Sequence, residues 1–504
     1  MKRVVMALVL LVAPTPLART QSPPVVAPSP IAQTVAISGR VFAVDTGEAI
    51  ANARVALTSS TQNRPVLTDR DGGFVLNAPP GRYTLTCSKS GYGRREITGT
   101  AVDRLIEIHL ARGAAISGRV VDALGDPIVS ARIVAETTVP STPARSAVAA
   151  ATETDDRGEY RLGSLHADTF TVAVITPGAM MRQVIGPNQI GIVPTTQKVY
   201  YPGVATSDAA QALRLESGDE RPAIDFVLPA GQPGGQRFSM TFITPLARPP
   251  EQDSTVRGTG IVRGRVVATD GRAVAHAQVR LMLQRAPGLT SGGPVLPRDL
   301  LQPTVVTADD DGRFEFQELA AGSYRIAAGK AGYSAPGEPV TFGPPPPTAG
   351  LAVDLADGQT RERADITLAR WATLAGRVFD EFGDPLQGVS VQLLQVRYQA
   401  GRRRLVAVGG VPRVTDDLGR FRTYGLAPGP YIVSAAVGDV ASTDLPGYAR
   451  SYYPGTPDAG TAQFVSIGVS QDVTGIDFSL TRTRTALVAG TLLDATGAPT
   501  TGAA

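Results

Sequence analysis

The chain has 504 residues and a net charge of +3, too close to neutral at this length for its charge to imply a nucleic-acid partner. Its 54 glycines and 40 prolines suit many turns rather than long helices, and one cysteine excludes a fold stapled by disulfides. Packing alone must then hold roughly three to five domains of ordinary size.

The amino terminus has the three-part layout of a secretory signal. Lys2 and Arg3 precede an apolar run over 4–12, and small residues follow near Ala18. The run is too short to anchor in a bilayer. Residues 1–18 are therefore expected to be a signal peptide, giving a secreted or periplasmic chain with no membrane span after its removal. No cysteine follows the run, which argues against a lipid anchor. Residues 19–34 are a Pro-rich spacer, expected to be extended and disordered.

Residues 35–112 read as a first β-sandwich. Period-two alternation predicts strands over 37–42, 53–58, 64–68, 74–77, 83–88 and 105–110. Cys87 shares a strand face with Tyr83 and Leu85 and reads as a small buried apolar residue. A second sandwich, 113–229, keeps this order but is longer after its fifth strand. Residues 230–260 read as a linker with an extra strand at 238–243. The third sandwich, 261–369, carries loop expansions at 286–303 and 343–350. The fourth, 372–482, ends in Ile476-Asp477-Phe478, matching Ile224-Asp225-Phe226 of the second. Residues 485–504 repeat the opening strand and turn of a further copy. A lone first strand cannot bury its apolar face. The expectation is disorder there, or a truncated form of a longer protein.

Two phrases recur in every sandwich. One opens a strand: Ile37-Ser38-Gly39-Arg40-Val41, Ile116-Ser117-Gly118-Arg119-Val120, Val262-Arg263-Gly264-Arg265-Val266 and Leu374-Ala375-Gly376-Arg377-Val378. The other is a turn of the type Thr415-Asp416-Asp417-Leu418-Gly419-Arg420-Phe421, with counterparts starting at Thr68, Thr154 and Thr307. Asp beside Gly accommodates a tight turn between two alternating runs. In three copies a later Gly-x-Tyr opens the next strand: Gly81 and Tyr83, Gly322 and Tyr324, Gly429 and Tyr431. The second has Phe170 at the Tyr position. Units of this length are domains, so the chain is an all-β tandem array of four Greek-key sandwiches.

Together with Gly125-Asp126-Pro127 and Gly383-Asp384-Pro385, these phrases resemble the carboxypeptidase regulatory-like domain family. The resemblance implies a transthyretin-like (prealbumin-like) sandwich, similar also to the starch-binding-like fold. It further implies a non-catalytic module, which in metallocarboxypeptidases accompanies a separate zinc enzyme and in secreted bacterial proteins sometimes binds carbohydrate.

The residues point away from catalysis. His109, His166 and His276 fall in three different repeats and none begins a His-x-x-Glu, so no zinc site is expected. No Gly-x-Ser-x-Gly elbow is present. Asp309-Asp310-Asp311-Gly312 lacks the alternating ligands and distant Glu of an EF-hand loop, leaving its carboxylates a turn-forming role. Lys2, Lys89, Lys198 and Lys330 are the only lysines, and none lies on a first strand where an isopeptide crosslink would need one. A coding preference for arginine accounts for their scarcity.

The best binding candidates are Tyr200, Tyr201, Tyr452 and Tyr453, two adjacent pairs each followed by Pro-Gly. Neighbouring strand residues point to opposite faces, so both rings of a pair cannot enter one core. The outer ring is either a stacking platform for a sugar or peptide or a plug at a sheet edge. Trp371 reads as interdomain packing, and Arg402-Arg403-Arg404 as a solvated hairpin tip. The expected protein is a non-enzymatic array without cofactor or metal. Its expected partner is an extracellular glycan before a protein, and not nucleic acid. The alternatives are an envelope spacer or interaction module, and the accessory region of a larger enzyme.

Overall fold

The computed structural model describes residues 35–58, 65–78, 83–100, 105–139, 145–186, 189–229, 258–285, 304–336, 350–399, 401–437 and 448–482. The expected signal, the Pro-rich spacer, the strand at 238–243, the partial fifth copy and both loop expansions (apart from Gly350) lie outside them. Among the described residues no helix is long and apolar enough to cross a membrane.

The first repeat shows the plan. Its strands are β1 (Val35–Ala43), β2 (Arg54–Thr58), β3 (Val66–Leu67), β4 (Gly73–Ala78), β5 (Tyr83–Ser88), β6 (Arg95–Thr100) and β7 (Ile106–Leu110). One sheet runs β4-β1-β7 and the other β3-β2-β5-β6. β7 lies parallel to β1, and the remaining pairs are antiparallel. This interleaving makes the Greek-key sandwich of prealbumin type expected from the sequence. The same two-sheet order recurs in the other three repeats, with β7 split into two short pieces in each. The third repeat opens at Gly260. β6 escapes the sequence pattern because Arg95 and Glu96 interrupt its alternation, as charges often do on an edge strand.

Alternation explains each core. In the first repeat Ile37, Val41 and Ala43 of β1, with Ile108 and Leu110 beside them on β7, face Val55 and Leu57 of β2 and Leu85 and Cys87 of β5 across the sandwich, all nearly solvent-free. Burial pushes the Cys87 thiol up to about 12, so it packs as an apolar group. The glycine of the opening phrase has a steric reason. A Cβ at Gly39 would sit 2.2 Å from the carbonyl oxygen of Ile106 on the parallel last strand, and at Gly376 it would sit 2.0 Å from that of Ile476.

The recurring turn is a fixed device. Asp69, Asp155, Asp309 and Asp416 each accept two backbone N–H groups, from the second and fourth residues on, at 2.7 to 3.0 Å. Each glycine of the turn has positive φ, between 70° and 75°. Before it, the hydroxyls of Thr68, Thr154 and Thr415 join two loops by accepting one backbone N–H and donating to one carbonyl.

Candidate interdomain site

The four sandwiches do not hang as separate beads. Repeats two and four face each other through their turns and the strands that follow (Glu159–Leu165 and Arg420–Leu426), and the contacts are reciprocal. Arg161 of repeat two donates to both oxygens of Asp417 in repeat four, at 2.7 and 2.9 Å. Arg422 of repeat four donates to both oxygens of Asp156 in repeat two, at 2.5 and 3.0 Å. Arg161 and Arg422 occupy the same position in their repeats, as do Asp156 and Asp417. Each arginine is also held from its own repeat, Arg161 by a bidentate contact to Glu220 and Arg422 by Asp472. The result is a local pseudo-two-fold axis within one chain, the geometry of a self-complementary dimer interface.

Burial gives these pairs weight. Asp417 is 5% exposed and Asp156 12%, against 16% and 15% for their arginines. Fork-on-fork pairing suits guanidinium and carboxylate. The hydrogen bond from Arg161 holds the Glu220 carboxyl below its usual range. Burial raises Asp472, but hydrogen bonds from Thr373 and the nearby Arg422 outweigh it and leave that carboxyl lowered. Asp155 and Asp416, packed beside the seam, are raised by burial. Packing is tight: a Cβ on Gly163 would sit 2.0 Å from the Asp417 carboxylate. The seam borders a cleft of about 1150 Å³ lined from both sides, among others by Arg119 and Tyr160 of repeat two and by Arg377 and Phe421 of repeat four.

Repeats one and three dock onto this pair, again equivalently. Lys89 of repeat one, 6% exposed, lies 3.1 Å from the fully buried Asp380 and 3.0 Å from Asp384 of repeat four. Lys330 of repeat three lies 2.8 Å from Asp126 of repeat two, the counterpart of Asp384. Asn52 adds a hydrogen bond to Asp380. Where repeats one, two and four meet, Ser164 donates to Gln387 and accepts from the Gly91 N–H, while the Gln387 N–H donates to Ser90. Where repeats two, three and four meet, Trp371 stacks on Tyr424 at 5.5 Å and 8°. The Tyr424 hydroxyl then meets Ser130 at 2.6 Å.

The tyrosine pairs fall elsewhere. Tyr200 is 8% exposed and its hydroxyl donates to Glu136, which Lys198 also contacts. Tyr201 and Tyr453 set their rings edge-on to Phe226 and Phe478, partly buried at equivalent sheet edges. Tyr452 is partly buried as well. The structure therefore keeps each pair in its own repeat and does not bring the two together. The histidines stay apart too: His109 is nearest Glu107, His166 nearest Asp168 and His276 nearest Asp310. Among the described residues no three potential ligands gather around a metal-sized space.

Sequence reasoning missed the seam, although two signals for it exist. Only repeats two and four combine Asp at the third position of the turn phrase with Arg five residues later. And where arginine is the default cation, each of the three described lysines contacts a carboxylate, two of them across a domain boundary.

The carboxypeptidase regulatory-like domain model matches residues 36–105, 115–190 and 261–369, together just over half of the chain. The fourth repeat is not in that match but has the same sheet order. No curated protein matches the chain. Among solved structures, the TIE protein of Bacillus anthracis is similar at 9% identity over 89% of this chain and 68% of its own, with a TM-score of 0.18. A streptococcal ancillary pilin is similar at 13% identity over 73% of this chain and 99% of its own, TM-score 0.24. The minor pilin GBS52 of Streptococcus agalactiae is similar at 17% identity over 46% of this chain and 100% of its own, TM-score 0.23. Likeness this distant carries no function across.

Proposed function

The chain belongs to the carboxypeptidase regulatory-like domain family, and from that premise we propose that it is a secreted, non-catalytic binding protein whose ligand is an extracellular glycan. One observation carries the non-catalytic reading. At the interdomain cleft the charged groups are already engaged: Arg161 and Arg422 each grip carboxylates from two repeats, and Asp155 and Asp416 hold backbone N–H groups of their own turns. A general acid or base needs a free face toward a substrate, and these groups point at each other.

A glycan ligand is favoured by the partly exposed rings of Tyr201, Tyr452 and Tyr453 at equivalent sheet edges, since an aromatic face with a polar rim suits a sugar. Several modest sites along one chain would add through multivalency. The test is retention on a panel of insoluble and soluble polysaccharides, with a hydrolysis assay on the same panel. Retention without hydrolysis, weakened by Tyr201→Ala, Tyr452→Ala and Tyr453→Ala together, is expected. Glycoside or peptide cleavage abolished by one Asp or Glu substitution would overturn the non-catalytic reading.

A protein partner is the second reading, favoured by the 13-residue strand Arg402–Val414 at the open edge of its sheet. Crosslinking in the native envelope would then return one recurrent protein neighbour.

A further inference from the structure

The long hairpin of repeat four breaks a local rule of sheet design. Its strands, Val389–Gln399 and Arg402–Val414, pair out to the turn, but the third strand of the sheet, Gly429–Val437, accompanies the first only as far as Leu394. Beyond that point the two strands pair only with each other, as a two-stranded ribbon in which residues 397–399 and 402–404 are exposed. In its register Arg397 lies opposite Arg404, Tyr398 opposite Arg403 and Gln399 opposite Arg402. Directly opposed residues share a face, so Arg397, Arg402 and Arg404 crowd one side, and Tyr398 and Arg403 stand on the other.

Like charges placed directly opposite each other destabilise a ribbon. Among the described residues no opposite charge relieves them. No acidic residue occurs between Asp384 and Asp416, and among the described residues none of the four arginines meets a carboxylate. Tyr398 is 75% exposed, the most exposed large hydrophobic side chain among the described residues. A local conflict left uncompensated in the free protein marks a place where a ligand supplies the missing partner.

We propose that this ribbon is a binding site for an acidic polysaccharide, a glycan bearing carboxylates or sulfates. The arginines take its anionic groups in bidentate contacts. The Tyr398 ring covers the apolar face of a sugar beside Arg403. The site rests on the glycan reading above and narrows it, moving the principal contact from the buried Tyr200 and the partly buried Tyr201, Tyr452 and Tyr453 to a ring that faces solvent.

The test uses the full secreted chain in a titration with four probes at two salt concentrations. They are heparin oligosaccharide (sulfated), oligogalacturonate (carboxylated), a neutral glucan and single-stranded DNA. At least one acidic glycan binds, more weakly at high salt because exposed ion pairs are screened. Arg402→Ala/Arg403→Ala/Arg404→Ala weakens that binding tenfold or more, and Tyr398→Ala weakens it severalfold without changing the salt dependence. Both variants melt no lower than the parent, because the ribbon loses repulsion rather than packing. Acidic glycan bound equally by parent and variants, or DNA bound more tightly than either acidic glycan, would overturn the proposal. Neutral glucan bound independently of the ribbon would overturn it too while leaving the glycan reading standing. No binding to any glycan would overturn both.

Discussion

Repeats two and three carry nearly the same turn, and one charge separates their roles. Repeat two reads Asp155-Asp156-Arg157-Gly158-Glu159-Tyr160-Arg161, and repeat three reads Asp309-Asp310-Asp311-Gly312-Arg313-Phe314-Glu315. Both fold the turn in the same way. Arg161 then reaches across to Asp417, whereas Glu315 pairs with Arg263 of its own repeat and Asp310 is 95% exposed. The turn makes the domain, and the residue five places after its second aspartate decides whether that turn joins a reciprocal seam with another repeat.

The sharpest way to break the comparison is to give repeat two the charge of repeat three. Arg161→Glu would leave Asp417 buried beside a second negative charge. Loss of one partner of a buried pair costs about 3–5 kcal/mol, and separation of repeats two and four, read by denaturant unfolding and by crosslinking across the seam, is the expected outcome. The reciprocal exchange Arg161→Asp with Asp417→Arg should recover a coupling of about 1–3 kcal/mol in a double-mutant cycle. Unaltered stability in the single variant would show that the seam carries no load. Lys89→Ala should cost about 2–4 kcal/mol by stranding the fully buried Asp380, and Lys330→Ala distinctly less because Asp126 is 24% exposed.

Acid should loosen the seam. Glu220 and Asp472 have folded pKa values below their ordinary values of 4.5 and 3.8, so the stability they contribute is full above those values and fades as pH falls through the depressed ones. Asp155 and Asp416 are raised and act in the opposite sense, gaining relative stability when protonated. Interdomain crosslinking should thus hold above about pH 4.5 and decline below it. The smallest effect is the mirror of the largest: Glu315→Arg in repeat three should change stability by under about 1 kcal/mol, because what is lost is an exposed pair with Arg263 and an exposed hydrogen bond from Gln317.

The fold was legible because its determinants are local. Alternation marked most strands, Asp-Gly marked the turns, and fourfold repetition confirmed both. β6 was lost where Arg95 and Glu96 broke the period. The seam was harder to read, since Arg161 and Asp417 are 256 positions apart and nothing local distinguishes an arginine bound for another domain from one bound for water. Comparing the repeats with one another does distinguish them. The tyrosine pairs show the opposite limit: alternation says that Tyr200 and Tyr201 diverge, but only the fold shows the first buried and the second partly enclosed against Phe226. Tyr398 and its arginines, by contrast, are a short-range pattern whose meaning depends on the pairing with the third strand ending at Leu394.

Small-angle X-ray scattering of the purified chain, with and without Arg161→Glu, tests the interlocked arrangement most directly. The parent should scatter as one compact particle, and the variant should lengthen. A parent already as long as four ~100-residue bodies in line, about 130 Å or more, would contradict it.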